Sequence, residues 1–143
     1  MANFVLVHGA WHGAWAWRRV VDALHAQGHR ALAVTLTGGG ERVHLMSSLI
    51  TLETHIADVA NTIEAEELQD VVLAVHSYAG MIGTAIADRM PQRLKHLVYV
   101  DAVALACVLL QLSPGFGTTA STYTRCFRRC GLRSAIAVPI MPA

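Results

Sequence analysis

One serine stands where a protein could use its hydroxyl for chemistry. Ser77 follows an apolar run at residues 71–75 and precedes a helix predicted over residues 79–90. A serine hydroxyl is a poor nucleophile until a base removes its proton, and a tight strand-to-helix turn projects it clear of the backbone. Ser77 is therefore a candidate nucleophile for acyl transfer. The alternative is structural, because serine is a favoured N-cap residue of helices.

The residues around Ser77 depart from the usual pattern of such a turn. Strand and helix pass close together there, so the positions two before and two after the serine are commonly glycine. Here they are Val75 and Ala79. The valine is the larger departure, because a β-branched side chain must fit where two backbones crowd. On this motif alone, the catalytic and the helix-capping interpretations are equally supported.

A second candidate turn, HGAWHGAW at residues 8–15, directly follows the first apolar run. Acyl transfer needs two backbone N–H groups aimed at the tetrahedral oxygen. Ala10 in this turn and Tyr78 after the serine are the candidates, and Gly9 lets the loop approach closely. The alternative is a glycine-rich turn whose tryptophans pack on the sheet. Two such turns at the ends of neighbouring strands, one with a serine, favour a hydrolase site.

The elements that position these turns follow a regular alternation. Continuous apolar runs, typical of buried parallel strands, occupy residues 4–7, 30–36, 71–75 and 94–100. Helical spacing of apolar residues predicts helices over residues 15–27, 52–68 and 79–90. This order predicts an α/β fold with a mainly parallel sheet between two layers of helices. His8, Ser77 and Asp101 each follow a predicted strand, at the edge where such sheets bind ligands.

The composition changes abruptly near residue 102. Residues 1–101 contain all ten acidic residues, whereas residues 102–143 contain none and carry four arginines and all three cysteines. We expect two parts: residues 1–103 as one folded unit and residues 104–143 as an atypical tail, frame-shifted or truncated. Residues 105–112 could be strand or helix, residues 114–124 read as loop, and no regular pattern follows Arg125. The fourth strand would then keep an open edge, which invites aggregation or pairing with a partner.

Several classes of function are disfavoured by composition. The net charge of +1 gives no reason to expect nucleic acid as a partner. No apolar run is long enough for a transmembrane helix, and the N-terminus lacks a basic region, so we expect no membrane partner, no signal peptide and a cytoplasmic location. Cys126 and Cys130 have no second pair of ligands. We therefore expect no metal and no cofactor.

Taken together, the motifs resemble one group of proteins. FVLVHGAWHGAW at residues 4–15, LTG at 36–38, GER at 40–42, HSY at 76–78 and LVYVDA at 97–102 are similar in order and spacing to small bacterial esterases and plant methyl esterases. This group, related to the hydroxynitrile lyases, lies within the α/β-hydrolase superfamily. The resemblance covers about residues 3–103. It implies that Ser77 is the nucleophile, that Ala10 and Tyr78 supply the oxyanion N–H groups, and that small carboxylic esters are cleaved through an acyl-enzyme.

Three further residues of the two turns are candidates for substrate contact. Gly9, Trp11 and His76 are expected to bind a small-molecule ester. The lyase branch typically carries threonine at the position of Gly9, so the glycine favours ester hydrolysis. The association state is left open, with a homo-oligomer as one candidate.

The resemblance also implies an aspartate after a later strand and a histidine near the C-terminus, and this sequence matches neither. No carboxylate follows Asp101 and no histidine follows His96. Asp101 is a candidate acid, although we favour a residue that caps the strand end. His76, His8 and His12 are more often structural than catalytic in such turns. We expect little or no esterase activity, and a non-catalytic ligand-binding module, a hydroxynitrile lyase-like enzyme and an inert fragment are the alternatives.

Overall fold

Five strands form one sheet in a computed structural model that describes residues 1–103 and the strand at residues 135–138. The strands are β1 (Asn3–Val7), β2 (Arg30–Val34), β3 (Val71–His76), β4 (Leu94–Val100) and β5 (Ala135–Val138). Their order in the sheet is β2-β1-β3-β4-β5, and every pairing is parallel. The predicted α/β class with a mainly parallel sheet is confirmed.

Three α-helices connect the first four strands: α1 (Arg18–Ala26), α2 (Leu52–Ala65) and α3 (Ala79–Arg89). The helix predicted from residue 15 begins later, because Ala14–Trp17 form a 3₁₀ turn. A second 3₁₀ helix, Gly40–Leu45, lies in the connection between β2 and α2. Helix α2 begins with a capping box between Thr51 and Thr54. In the part of the chain that is described, no helix combines the length and the hydropathy needed to span a membrane.

The hydrophobic core lies between the sheet and helices α2 and α3. Val5, Leu73 and Leu97 pair across three strands and are fully buried. Both helices add buried aliphatic residues to the same cluster: Ile56, Val59, Ile63, Ile82 and Ile86. Helix α1 differs, since none of its residues is buried. The elements that carry the candidate site are therefore the well-packed ones.

The expectation of an open edge on the fourth strand is wrong. β5 pairs in parallel with β4, from Leu97 opposite Ala135 to Val100 opposite Val138. The sequence of β5, AIAV, is a short apolar run without alternation. Such a run suits a parallel strand, but four apolar residues alone do not distinguish a strand from a segment of helix. The expectations for residues 105–112 and 114–124 lie outside the described residues.

The register between β1 and β3 sets the two candidate turns at the same level. Val7 lies opposite Val75 in the parallel ladder. Gly9 and Ser77 each follow two residues later along their strands. Because parallel strands rise equally per residue, both turns leave the sheet at one height.

The space for Val75 comes from helix α3. Val75 is fully buried, and an added Cβ on Gly83 would lie 2.8 Å from its Cγ1. Ala79, which follows the bend, is fully buried as well. The strand and helix therefore approach closely despite the valine, because a glycine one turn further along α3 faces it.

We expect Gly83→Ala to destabilise the chain by about 1 kcal/mol. Overpacking a well-filled core costs about 1–3 kcal/mol, whereas alanine in place of a helical glycine stabilises by about 1 kcal/mol. Urea unfolding followed by circular dichroism measures the change. Ala57→Gly, at an exposed position of α2, serves as the control for helix propensity alone. A Gly83→Ala chain that is more stable than the wild type would contradict this packing.

Candidate functional site

Ser77 lies on a strained bend between β3 and α3. Its φ of 51° falls in the left-handed region, which residues other than glycine adopt at an energetic cost. The side chain is partly buried, and its hydroxyl forms no hydrogen bond with a described residue. The N-cap position of α3 is Tyr78, and no side chain caps it. Ser77 is therefore not the N-cap residue that the structural alternative required.

Backbone contacts with the end of β4 hold this bend. The Ser77 amide donates to the carbonyl of Val100 at 3.4 Å, and its carbonyl accepts from the amides of Gly80 at 3.1 Å and Val103 at 3.0 Å. A Cβ on Gly80 would come within 2.1 Å of the Val103 carbonyl oxygen. The segment after β4 thus packs directly against the first turn of α3.

The turn after β1 meets the bend at Gly9. A Cβ on Gly9 would lie 2.9 Å from the Ser77 Cβ and 2.9 Å from the His76 Nδ1 atom. Real Cβ atoms essentially never come so close to other atoms. The structure therefore brings the two predicted turns together, and glycine is the residue that allows their contact.

Two histidine rings hold the carbonyl groups of this turn. The His8 Nδ1 atom donates to the Gly9 carbonyl at 2.7 Å, and the His12 Nδ1 atom donates to the Ala10 carbonyl at 2.8 Å. The Gly9 carbonyl and the Ala10 N–H belong to one planar trans peptide and point in opposite directions. Neither the Ala10 nor the Tyr78 N–H donates to a described residue. Each of the two residues in contact, Gly9 and Ser77, is thus followed by an amide that has no hydrogen-bond partner among the described residues.

His8 is a buried neutral imidazole. The residue is 3% exposed, and its Nε2 atom accepts a hydrogen bond from the Leu36 amide at 3.0 Å. Because Nε2 accepts, the ring proton lies on Nδ1, which donates to Gly9. Burial is the main cause that lowers the pKa of His8 below its ordinary value, followed by the opposing effect of the Gly9 hydrogen bond. His8 thus joins the ends of β1 and β2 in one protonation state.

A cavity of about 700 Å³ adjoins the two turns. Its lining comes from the turn after β1, the loop after β2, and the side chains of α2 and the bend: residues 8–12, 36–40, Val43, Met46, Ser47, Ile50, His55 and Tyr78. Trp11 at the cavity has a φ of 68° and is 96% exposed. An exposed tryptophan in a strained conformation is more typical of a binding site than of a packed turn.

The other predicted site residues are placed less centrally. The His76 ring lies against Gly9 and edge-on to His12, with ring centroids 6.1 Å apart, but it does not line the cavity. Asp101 follows β4 with a φ of 45° and is exposed. No hydrogen bond joins its carboxylate to a histidine of the described chain. Only the position of Asp101 after β4 therefore supports it as the catalytic acid.

Two residues of α2 that the sequence patterns do not single out, His55 and Asp58, hold the loop after β2 beside the site. Asp58 on α2 accepts from the Thr37 amide at 2.6 Å and from the Thr37 hydroxyl at 2.9 Å, and Arg42 approaches it at 3.5 Å. His55, one turn earlier on α2, contacts the Thr37 carbonyl and the Tyr78 hydroxyl. Their spacing of three residues on one helix face was the available signal.

None of the eight histidines of the chain, all of which fall within residues 1–103, is hydrogen-bonded to Ser77. Three of them, His8, His12 and His55, bond backbone carbonyls at the site. Four others lie outside the bend: His25 on α1, His29 just before β2, His44 on the second 3₁₀ helix and His96 on β4. Among the described residues, no three His, Cys, Asp or Glu side chains gather to hold a metal ion.

Comparison with known proteins identifies close sequence relatives. The model of the alpha/beta hydrolase family matches residues 4–139. A carbendazim hydrolyzing esterase of Nocardioides sp. is 58% identical over 102 residues, which are 71% of this chain and 42% of that protein. Esterase PIR7B of Oryza sativa subsp. japonica is 35% identical over 108 residues, 74% of this chain and 40% of that protein. An alpha-hydroxynitrile lyase of Arabidopsis thaliana is 33% identical over 101 residues, which are 70% of this chain and 39% of that protein.

Solved structures give the same grouping. An extracellular alpha/beta-hydrolase from a Paenibacillus species has a TM-score of 0.67 and 29% identity, over 73% of this chain and 42% of that one. Polyneuridine aldehyde esterase has a TM-score of 0.64 and 27% identity, over 73% and 41%. The chain thus spans about two fifths of the length of the relatives that it matches, with 42% and 40% of the two esterases covered.

We expect the buried state of His8 to make stability fall with acidity. Because burial lowers its folded pKa, His8 contributes fully above its ordinary value of 6.5, and this stability is lost as pH falls from 6.5 toward the folded value. Titration of this one group can change the free energy of unfolding by at most about 1.4 kcal/mol per pH unit. Urea unfolding between pH 5.5 and 8 should show a shallower dependence for His8→Gln than for the wild type. The exposed His44→Gln control should follow the wild type, and parallel curves for all three chains would refute the assignment.

Proposed function

The chain belongs to the α/β-hydrolase family, and on that basis we propose that residues 1–103 carry the nucleophile half of a serine carboxylesterase site. Ser77 is the nucleophile, and the backbone N–H groups of Ala10 and Tyr78 bind the oxyanion. The observation that carries this proposal is the contact between Gly9 and Ser77, where an added Cβ would lie 2.9 Å from the serine Cβ. In this proposal, the amide groups that follow the two residues in contact, neither of which donates to a described residue, flank the serine.

The chemistry that this arrangement would support is acyl transfer. The Ser77 Oγ atom attacks the ester carbonyl carbon while its proton passes to a base, and the carbonyl oxygen becomes an oxyanion. The Ala10 and Tyr78 N–H groups donate to that oxygen, and each such donor contributes roughly a hundred- to a thousandfold in rate. The alcohol then leaves with a proton, and water cleaves the acyl-enzyme.

The cavity supports a small carboxylic ester as the substrate. It holds about 700 Å³ and combines aliphatic side chains with polar groups of the two turns. Gly9 and Trp11 line it and would contact the ester, whereas His76 would act by packing against Gly9. Relatives named as esterases, among them the carbendazim hydrolyzing esterase and esterase PIR7B, support the same class of substrate.

Ester hydrolysis is better supported than hydroxynitrile lyase chemistry. The resemblance associates the lyase branch with threonine at the position of Gly9. A threonine Cβ at this position would lie 2.9 Å from both the Ser77 Cβ and the His76 Nδ1 atom. The bend would have to move before the larger residue could fit.

We further propose that this chain turns over esters poorly. Removing the base from a Ser-His-Asp site leaves only the residual catalysis of the oxyanion hole and of binding. His8 uses both of its ring nitrogens in hydrogen bonds with the backbone, and His55 uses both of its own. Asp101 has its position after β4 in its favour but no histidine to orient.

Imidazole in solution should replace the absent base. We expect a fluorophosphonate probe to label the 143-residue chain slowly in buffer and faster as imidazole is added, because free imidazole can reach the partly exposed Ser77. Mass spectrometry should place the label on Ser77, and Ser77→Ala should abolish the imidazole-dependent part of the labelling. Hydrolysis of p-nitrophenyl acetate, corrected with the Ser77→Ala chain, should respond in the same way.

The outcomes separate the competing functions. Absence of Ser77-dependent labelling at every imidazole concentration would refute the esterase site. If a small apolar ligand then still raised the melting temperature, a non-catalytic binding module would be favoured. Turnover at about 1–1000 s⁻¹ without imidazole, the ordinary range of enzymes, would instead refute the proposed impairment.

A methyl group at Gly9 should damage the site more than the fold. We expect Gly9→Ala to lower imidazole-assisted labelling of Ser77 by roughly a hundredfold, the effect of one lost oxyanion donor. The added Cβ displaces either the bend or the Ala10 peptide. Ala16→Gly, in the 3₁₀ turn and exposed, is the control. Labelling of Gly9→Ala at the wild-type rate would show that the turn does not act on Ser77.

A further inference from the structure

A series of hydrogen bonds links helix α2 to the candidate site. The Tyr78 hydroxyl lies 2.8 Å from the His55 Nδ1 atom, and the two rings are perpendicular, at 87°, with centroids 5.6 Å apart. Tyr78 is the residue that follows Ser77 on the bend. Burial raises the pKa of its phenol, so the hydroxyl keeps its proton at neutral pH. The contact therefore joins α2 to the first residue after the serine.

The contact of His55 with the Thr37 carbonyl indicates which group donates in each of these hydrogen bonds. The His55 Nε2 atom lies 3.0 Å from the Thr37 carbonyl oxygen, which can only accept. Nε2 therefore carries a ring proton, and in the neutral imidazole Nδ1 is left as an acceptor. Tyr78 donates to His55, and His55 donates to Thr37. A neutral imidazole with its proton on Nε2 satisfies every group in the chain.

Thr37 is itself immobilised by the same helix. Its amide and its hydroxyl both donate to Asp58, at 2.6 and 2.9 Å. Three hydrogen bonds from two side chains one turn apart on α2 thus hold this residue. Helix α2 packs in the core through Ile56 and Val59. The hydrogen bonds that begin at Tyr78 therefore end on a well-packed helix.

We infer that His55 is a positioning residue, which holds the Tyr78 side chain and through it the bend that presents Ser77. The inference rests on the proposed function. A non-glycine residue in the left-handed region persists only where its surroundings over-determine it. The backbone contacts of Ser77 restrain one side of the bend, and His55 restrains the other through the Tyr78 ring. Without His55, the phenol would lose its acceptor and could turn into the cavity.

Labelling kinetics test this role. We expect Tyr78→Phe and His55→Phe each to lower imidazole-assisted fluorophosphonate labelling of Ser77 roughly two- to tenfold, the equivalent of one hydrogen bond. The double variant should label at the rate of His55→Phe alone, because both changes remove the same bond. His44→Gln, an exposed histidine outside the cavity, is the control and should label at the wild-type rate.

A spectroscopic measurement tests the same bond without catalysis. Long-range ¹H–¹⁵N correlation spectra at pH 7.5 should show His55 protonated on Nε2 and unprotonated on Nδ1. A proton on Nδ1, or exchange between the two tautomers, would overturn the inference. Tyr78→Phe retains the ring and is the deciding variant if circular dichroism shows His55→Phe to be unfolded.

Labelling of the wild type and of the variants distinguishes the esterase site from the role of His55. If the wild-type chain is never labelled on Ser77, the proposed function fails and the role of His55 falls with it. If the wild type is labelled but Tyr78→Phe matches its rate, or the two changes multiply in the double variant, the esterase site stands and His55 has no positioning role.

Discussion

The parallel register between β1 and β3 is the constraint on which the candidate site depends. With Val7 opposite Val75, the turns that follow the two strands leave the sheet at the same height. Gly9 then meets Ser77, and the next residue in each turn, Ala10 or Tyr78, carries a candidate oxyanion donor. A slip of one residue would send every side chain of the strand to the other face and would separate the turns. Hydrophobic burial of the two strands therefore fixes the geometry of a polar site.

Histidine side chains hold the two turns in place. His8 and His12 donate to successive carbonyl groups of the turn after β1, and His55 contacts both the Tyr78 hydroxyl and the Thr37 carbonyl. His8 and His55 each use both ring nitrogens in hydrogen bonds. Neither of these two rings therefore offers the free nitrogen that a general base needs within reach of the Ser77 hydroxyl.

Much of this could be predicted from sequence because local patterns carried it. Continuous apolar runs identified four strands, and the residues after them identified the two turns. The fit of Val75 could not be predicted, since the glycine that makes room for it faces it from α3. β5 was missed because its apolar run is only four residues long and lies in a segment of atypical composition. His55 was missed because its partners, Thr37 and Tyr78, are distant in sequence and meet it only when α2 packs.

The site divides along the topology of the sheet. The serine and both candidate oxyanion donors come from the turns after β1 and β3, which are neighbours at the centre of the sheet. Their arrangement needs only that pair of strands and the helices packed on it. A general base would have to reach the Ser77 hydroxyl, which forms no hydrogen bond with a described residue, so its placement depends on other contacts. In the proposed mechanism, the binding of the oxyanion and the activation of the nucleophile are therefore separate properties, and the first does not require the second.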